Sequence, residues 1–198
     1  MAVAIARAVA ARTSAGEDDV LAAAAAAEAV FHATPSGIDA AVASRGGVGR
    51  FDRDTGWQAI PISRPIELCV GLSGQTRQTS DLVSGVARLC QRVPVARRLI
   101  DALGDLARAG MDALASGDSE ALGHGFNMAH GLLSGLGVST PELDALVRAA
   151  RAAGALGAKL TGAGGGGAVI ALAPDRAEEV LKRWRSMGCY GFLTLVGK

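Results

Sequence analysis

An α+β fold is predicted by three observations on the 198-residue sequence. Apolar residues make up 49% of the chain, enough for one substantial core or two small ones. Glycine and proline punctuate a series of helical patterns between residues 79 and 153. Short apolar runs of strand length flank that series, "IELCVGL" before it and "LGAKLTG", "GGAVIALA" and "YGFLTLV" after it. Strand, helices, two strands, helix and strand make an α+β sandwich with its helices on one face.

The elements follow in order. "MAVAIARAVA" places alanine and β-branched residues at helical spacing with no capping residue ahead of them, so a helix over 2–12 reads as one entered halfway. In "SAGEDDVLAAAAAAEAVF", Ser14 and Glu17 form a capping box, and Asp18 and Asp19 suit the positive end of the dipole, which predicts a helix over 17–32. Thr34 as N-cap and Pro35 at the first helical position predict a short helix over 35–44, ended by Gly46 and Gly47. "GVGRFD" and "WQAIPI" flank the turn-like "RDTG" and predict a hairpin. A domain boundary is expected near residue 62, dividing the chain into 1–62 and 63–198. Beyond it, helices are predicted over 79–92, 95–115, 118–135 and 140–153, the last opened by "STPELDAL" with Pro141 in its first turn. "DRAEEVLKRWRSM" is amphipathic and predicts a helix before the closing strand.

Composition excludes several function classes. The formal charge is +1, and no block of Lys and Arg is interleaved with aromatics, so no nucleic-acid partner is expected. Cys69, Cys90 and Cys189 are odd in number and far apart, without CxxC or Cys/His spacing, which suits reduced thiols in a cytoplasm rather than a metal site. No apolar run reaches ~20 residues, and the opening carries arginines where a signal peptide has its apolar centre. A soluble cytoplasmic protein with no membrane partner is expected.

Two stretches could carry chemistry. "KLTGAGGGGAVIAL" puts Lys159 and Thr161 ahead of Gly162, Gly164, Gly165, Gly166 and Gly167. A slack glycine linker sits among Ser, Pro and charged residues, whereas this run is bracketed by two strands and must be a compact connection. Successive glycine amides can form a concave anion site, and glycine is needed where backbone approaches a phosphate. The order differs from GxxxxGK[ST], since the lysine precedes the glycines, and a β-hairpin with unusual backbone angles explains the run equally well. In "EAVFHATPSGIDAAVASRGG", Glu28 is the lone carboxylate of an alanine-rich stretch and Asp39 falls near the start of the next helix. An isolated helical Glu is ordinarily a solvated charge, and a first-turn Asp a dipole partner. Together, one carboxylate could hold Mg²⁺ while the other accepts a proton from an alcohol. His32 shares a helical face with Glu28, while His124 and His130, six residues apart, fall on different faces and suit no shared metal or proton relay.

The segments "HATPSGIDAAVASRGG" and "LGVSTPELDALVRAARAAGALGAKLTGAGGGGAVIAL" resemble the mevalonate kinase branch of the GHMP small-molecule kinases, which share a PSGxD and a KLTGAGGGG segment. The resemblance runs in register over almost the whole chain. It implies a remnant of the family's N-terminal lobe, helices plus hairpin, followed by a ferredoxin-like C-terminal domain with extra helices. It also implies transfer of phosphate from ATP to the mevalonate hydroxyl in isoprenoid precursor synthesis, with phosphomevalonate as the runner-up substrate. By resemblance Glu28 takes the Mg²⁺-ligand position, Asp39 is the base, and Ser36 lies in the substrate loop. "TRQTSDLVSGV" is similar to the stretch after the first C-terminal strand, which makes Arg77 and Thr79 residues facing substrate and phosphate. Gly162, Gly164, Gly165, Gly166 and Gly167 would form the loop that closes over the active site. Ala33 and Ala168 are small departures, standing where the family usually has glycine and often has cysteine.

Family members also carry an N-terminal strand with a catalytic lysine and a P-x-x-x-G-L-G-S-S-A phosphate loop, whose following helix begins much like "AVAIARAVA". The expectation is therefore a chain cut at its ligand-binding end. Three readings follow: a working kinase, a silent binding or scaffold remnant, or a part whose missing strands come from elsewhere. A bare apolar surface on the helices over 2–12 and 17–32 further predicts a homodimer through Val3, Ile5 and Val9, with the hairpin at 47–62 available along its edge.

Overall fold

The structure is a computed structural model that describes residues 2–13, 16, 19–20, 22–24, 26, 37–52, 54–75 and 79–197, with the backbone alone at residues 2 and 5. The chain divides into two compact units, Met1–Pro61 and Ile62–Lys198. Among the described residues no helix is long and apolar enough to cross a membrane.

In the first unit, α1 (Ala2–Ala10) and α2 (Ile38–Arg45) pack together, and a hairpin of β1 (Gly49–Asp52) and β2 (Gly56–Ala59) lies against α2. Val3, Ala6 and Ala10 recur at helical spacing and form one stripe, which buries against Val20, Ala24 and Ala40. Val3 is therefore inside this unit's own core and not on the surface expected for a dimer, while Val9 is exposed. The helix expected over 17–32 falls largely outside the described residues, of which 19–20, 22–24 and 26 are helical. The helix expected from residue 35 begins at Ile38, because its N-cap is Gly37 at φ 79, a left-handed angle no helix interior adopts. Thr34 and Pro35 lie outside the described residues. The hairpin forms where expected, pairing Gly49 with Ala59 and Asp52 with Gly56. Asp52 Oδ1 accepts from the amides of Asp54 and Thr55 at 2.9 and 3.3 Å, so the side chain nucleates its own turn.

The second unit contains β3 (Ile66–Leu72), α3 (Thr79–Arg92), α4 (Val95–Ser116), α5 (Ser119–Gly135), α6 (Pro141–Ala152), β4 (Gly157–Thr161), β5 (Ala168–Leu172), α7 (Ala177–Ser186) and β6 (Gly191–Val196). The four strands form one antiparallel sheet in the order β4-β5-β3-β6. That order is the split βαβ arrangement, with four helices in the first crossover and one in the second. Local signals set the helix starts: Asp118 accepts from the Ala121 amide ahead of α5, and Thr140 from the Leu143 amide ahead of α6.

Strand alternation sends Cys69, Ala171, Val169, Ala158 and Leu160 to one face, where they bury against Leu143, Leu146, Val147 and Ala150 of α6 and Val180 and Trp184 of α7. Each fully buried Leu or Val contributes about 1.5–3 kcal/mol here. The other face was expected to be free of helices, and it is not. Leu68 and Leu172 pair on that face, and they pack with Ile66 against Ala113, Leu114, Leu122 and Phe126 of α4 and α5. The four-helix crossover is long enough to wrap the β4 edge and reach the second face.

Candidate functional site

The glycine run is a pinned loop between β4 and β5. Ser73 donates its amide to Gly167 O at 2.8 Å and Gly167 donates to Gln75 O at 2.7 Å, tying the loop to the segment after β3. Gly165 donates to Val138 O at 2.7 Å, tying its middle to the segment before α6. All five glycines have positive φ, from 69° at Gly165 to 135° at Gly166. A Cβ on Gly164 would stand 2.2 Å from Val138 O, and one on Gly166 2.5 Å from Gln75 O. Glycine is thus required here by backbone approach as well as by backbone angle. Gly165 and Gly166 are buried, while Gly162, Ala163 and Gly167 are exposed. The amides of Gly165 and Gly167 are spent on internal bonds, so any anion must be met by other donors of the loop.

Beside the loop stand polar groups that spacing alone does not assemble. Glu142, in the first turn of α6, has its carboxyl held below the usual range by its own backbone amide, by the Thr140 hydroxyl and by the Gln75 side chain. Asp144 Oδ1 accepts from Ser139 Oγ at 2.5 Å and lies 3.1 Å from His130 Nε2. The other ring nitrogen of His130 accepts from the Leu160 amide at 3.4 Å. Burial lowers the His130 pKa, Asp144 opposing this by its charge and hydrogen bond while Lys159 and Arg151 add to it. Burial likewise lowers the Lys159 pKa, and Lys159 Nζ donates to Leu160 O at 2.7 Å. His124 bonds Glu120 O on its own helix and shares no partner with His130.

Asp39 is exposed in the first turn of α2, and Thr79 is exposed at the start of α3. Glu28, Ser36 and Arg77 lie outside the described residues, as does His32. The Mg²⁺ position rests on Glu28, and among the described residues no three His, Cys, Asp or Glu side chains gather as a metal site. The close approaches at Gly164 and Gly166 are to the carbonyls of Val138 and Gln75, so the part of the loop left open to a ligand is its exposed Gly162–Ala163 tip. Spacing in the sequence sets His130 apart from His124, but it does not point to Gln75, Glu142 or Asp144 as its companions at the loop. "STPELD", which opens the helix before the glycine strand, was the available signal for Glu142 and Asp144.

Comparison with known proteins agrees with this geometry. Residues 111–188 match the family described as GHMP kinases C terminal. A mevalonate kinase of Thermococcus onnurineus is 40% identical over 159 residues, 77% of this chain and 47% of that protein. A mevalonate kinase of Aeropyrum pernix is 41% identical over 155 residues, 73% of this chain and 45% of that protein. The crystal structure of L. major mevalonate kinase in complex with R-mevalonate superposes with a TM-score of 0.91 at 31% identity, covering 99% of this chain and 64% of that one. The chain spans about half the length of the curated relatives it matches. With the split-βαβ sheet, the pinned glycine loop and these similarities in place, residues 111–188 carry the GHMP kinase C-terminal domain, and the relatives to which the chain is similar are mevalonate kinases.

Proposed function

We propose that this protein is a mevalonate kinase-type phosphotransferase that uses ATP and Mg²⁺ to phosphorylate the hydroxyl of mevalonate. The observation that carries the reading is the glycine loop, whose close approaches at Gly164 and Gly166 leave no room for any other residue, within a sequence similar to mevalonate kinases. Bound ATP with Mg²⁺ would supply the phosphoryl group and neutralise its charge.

The chain's own residues bind, orient and move a proton. Asp39 accepts the hydroxyl proton as the oxygen forms its bond to phosphorus and the bond to the ADP oxygen breaks. The loop Gly162–Gly167 presents backbone to phosphate oxygens, and Thr79 and Arg77 add a hydroxyl and a guanidinium to substrate and phosphate. Ser36 orients the substrate and Glu28 ligates Mg²⁺. A cytoplasmic location and a homodimer belong to the same proposal; Val3 is inside the unit, Val9 and the hairpin edge remain for the expected interface, and the Ile5 side chain lies outside the described ones.

A coupled assay of ADP release with the purified chain, ATP, Mg²⁺ and R-mevalonate tests the reading. Mevalonate-dependent ADP formation at roughly 1–100 s⁻¹ is expected. Turnover with phosphomevalonate alone reassigns the substrate. No turnover with either removes the kinase and leaves a silent binding module.

A further inference from the structure

The sheet has two outer strands, β4 and β6, and α5 closes the edge of β4. Asn127 donates its side-chain amide to Leu156 O at 3.1 Å and accepts from the Ala158 amide at 3.2 Å, so one side chain stands in for a strand residue. One helical turn further along, His130 Nδ1 accepts from the Leu160 amide, the next outward-facing donor of β4. The helix reaches the strand this closely because both residues at the crossing are glycine: a Cβ on Gly157 would stand 1.9 Å from Gly123 O.

His130 also reaches the other support of the glycine loop. Its Nε2–H donates to Asp144 Oδ1, the oxygen that accepts from Ser139 Oγ. Ser139 follows Val138, whose carbonyl holds the Gly165 amide in the middle of the loop. Leu160 immediately precedes Thr161, the last residue of β4 before the loop. One imidazole therefore joins the strand that enters the loop to the segment on which the loop rests.

We propose that His130 is a positioning residue for the glycine loop, acting as a neutral two-sided clamp whose Nδ1 holds the Leu160 amide while its Nε2–H holds Asp144. Both bonds exist together only in the Nε2–H tautomer. A second proton on the ring would set an N–H against the Leu160 N–H. The charged groups facing the ring are Asp144 and Arg151 on α6 and Lys159 on β4. Asp144 favours the cation, Lys159 and Arg151 oppose it, and burial opposes it most, so the folded-state pKa lies below the ordinary histidine value of 6.5. The sign follows: the unfolded chain binds the proton first as pH falls, so the clamp's contribution is present above 6.5 and is lost as pH falls through the lower folded-state value. The inference takes from the proposed function only that the glycine loop bears the ligand.

The test is nitrogen NMR of the labelled full chain with amide hydrogen exchange. At pH 7.5 the His130 ring is expected as the Nε2–H tautomer. As the ring protonates below pH 6.5, protection factors at Leu160, Gly165 and Gly167 should fall together by on the order of tenfold, the worth of a net hydrogen bond, while the buried Trp184 indole keeps its protection. His130→Gln can accept with Oε1 and donate with Nε2 but cannot titrate, so it should keep the protection and lose the pH step. An Nδ1–H tautomer at pH 7.5, protection at the loop indifferent to ring protonation, or the same step in a folded His130→Gln chain would overturn the clamp. Should His130→Gln not fold, the tautomer and the pH step of the wild type decide alone. These signatures in a chain that makes no phosphorylated product would sink the kinase reading and leave the clamp standing; turnover without them does the reverse.

Discussion

Gly164 passes beneath the backbone of Val138 so closely that a Cβ on it would stand 2.2 Å from the Val138 carbonyl oxygen, and its φ of 87° lies where L side chains are strained. Gly164→Ala must therefore push the loop away from the α6 segment. The strained angle alone costs about 1–2 kcal/mol. We expect the thermal midpoint of the second unit to fall by roughly 3–8 °C, and the Michaelis constant for ATP to rise more than the turnover number falls. Gly162→Ala is the control, because nothing lies within 4 Å of a Cβ there and only the angle is strained. Equal effects from the two substitutions would show that approach to Val138 is irrelevant.

The same loop marks where reading the sequence stops. Five glycines bracketed by strands predict a shaped turn, because positive φ and the strand pattern are local properties. Thr140 and Pro141 likewise announce α6, and the runs around residues 66, 157, 168 and 191 announce the strands. What the loop rests on is not local: Val138 and Gln75 come from other segments, and Asn127 and His130 lie 29 to 31 residues from the strand atoms they hold. Spacing within α5 rightly separates His124 from His130, but it says nothing of Asp144 on the next helix. The start of α2 slipped to Ile38 for a related reason, since Thr34 and Pro35 offer a good cap locally while Gly37 takes a left-handed angle and packs against the Phe51 ring.

Trp184 is fully buried and donates its indole N–H to Leu146 O at 2.9 Å, joining α7 to α6 over the sheet. Trp184→Phe removes that donor and leaves part of the ring volume empty. A lost buried hydrogen bond and a partial cavity together cost about 2–4 kcal/mol. The second unit should melt at least roughly 5 °C lower, as followed by near-ultraviolet circular dichroism. A midpoint within 1 or 2 °C of wild type would mean that the sheet and α6 tolerate repacking there.

Cys69 is buried in the same core, and burial, with some help from Glu67, raises its pKa to about 11. A raised acid pKa means the folded state holds its proton longer. The contribution to stability is present below the ordinary value of 9.0 and is lost as pH rises towards about 11. At pH 8, iodoacetamide should modify the half-buried Cys90 and Cys189 while sparing Cys69 until the unit unfolds. Peptide mapping after a brief pulse reads this, and labelling of Cys69 at the rate of Cys90 would contradict the packing.

Asp39 lies exposed in the first turn of α2, where a side chain contributes little to the fold. Asp39→Asn keeps the shape and removes the proton acceptor. If Asp39 is the base, turnover should fall by about 10²–10⁴-fold while the midpoint of the first unit stays within about 3 °C. A variant as active as wild type would remove Asp39 from the mechanism without touching the family assignment.

Asn127 should matter to the second unit more than its half-buried position suggests. Its amide gives one hydrogen bond to the β4 edge and receives another, so Asn127→Ala frees both Leu156 O and the Ala158 amide at once. Each group left without its partner costs about 1 kcal/mol where water can partly replace it, and more where α5 excludes water. Asn127→Asp separates the two bonds, because a carboxylate still accepts from the Ala158 amide but repels Leu156 O. The expected order of stability is wild type, then Ala, then Asp, with a total span of roughly 2–4 kcal/mol in urea unfolding of the second unit. An opened β4 edge also offers free strand donors to other copies, so the Ala variant should show concentration-dependent association by light scattering. Wild-type stability in both variants would mean that the Gly123–Gly157 crossing alone seats α5 on the strand.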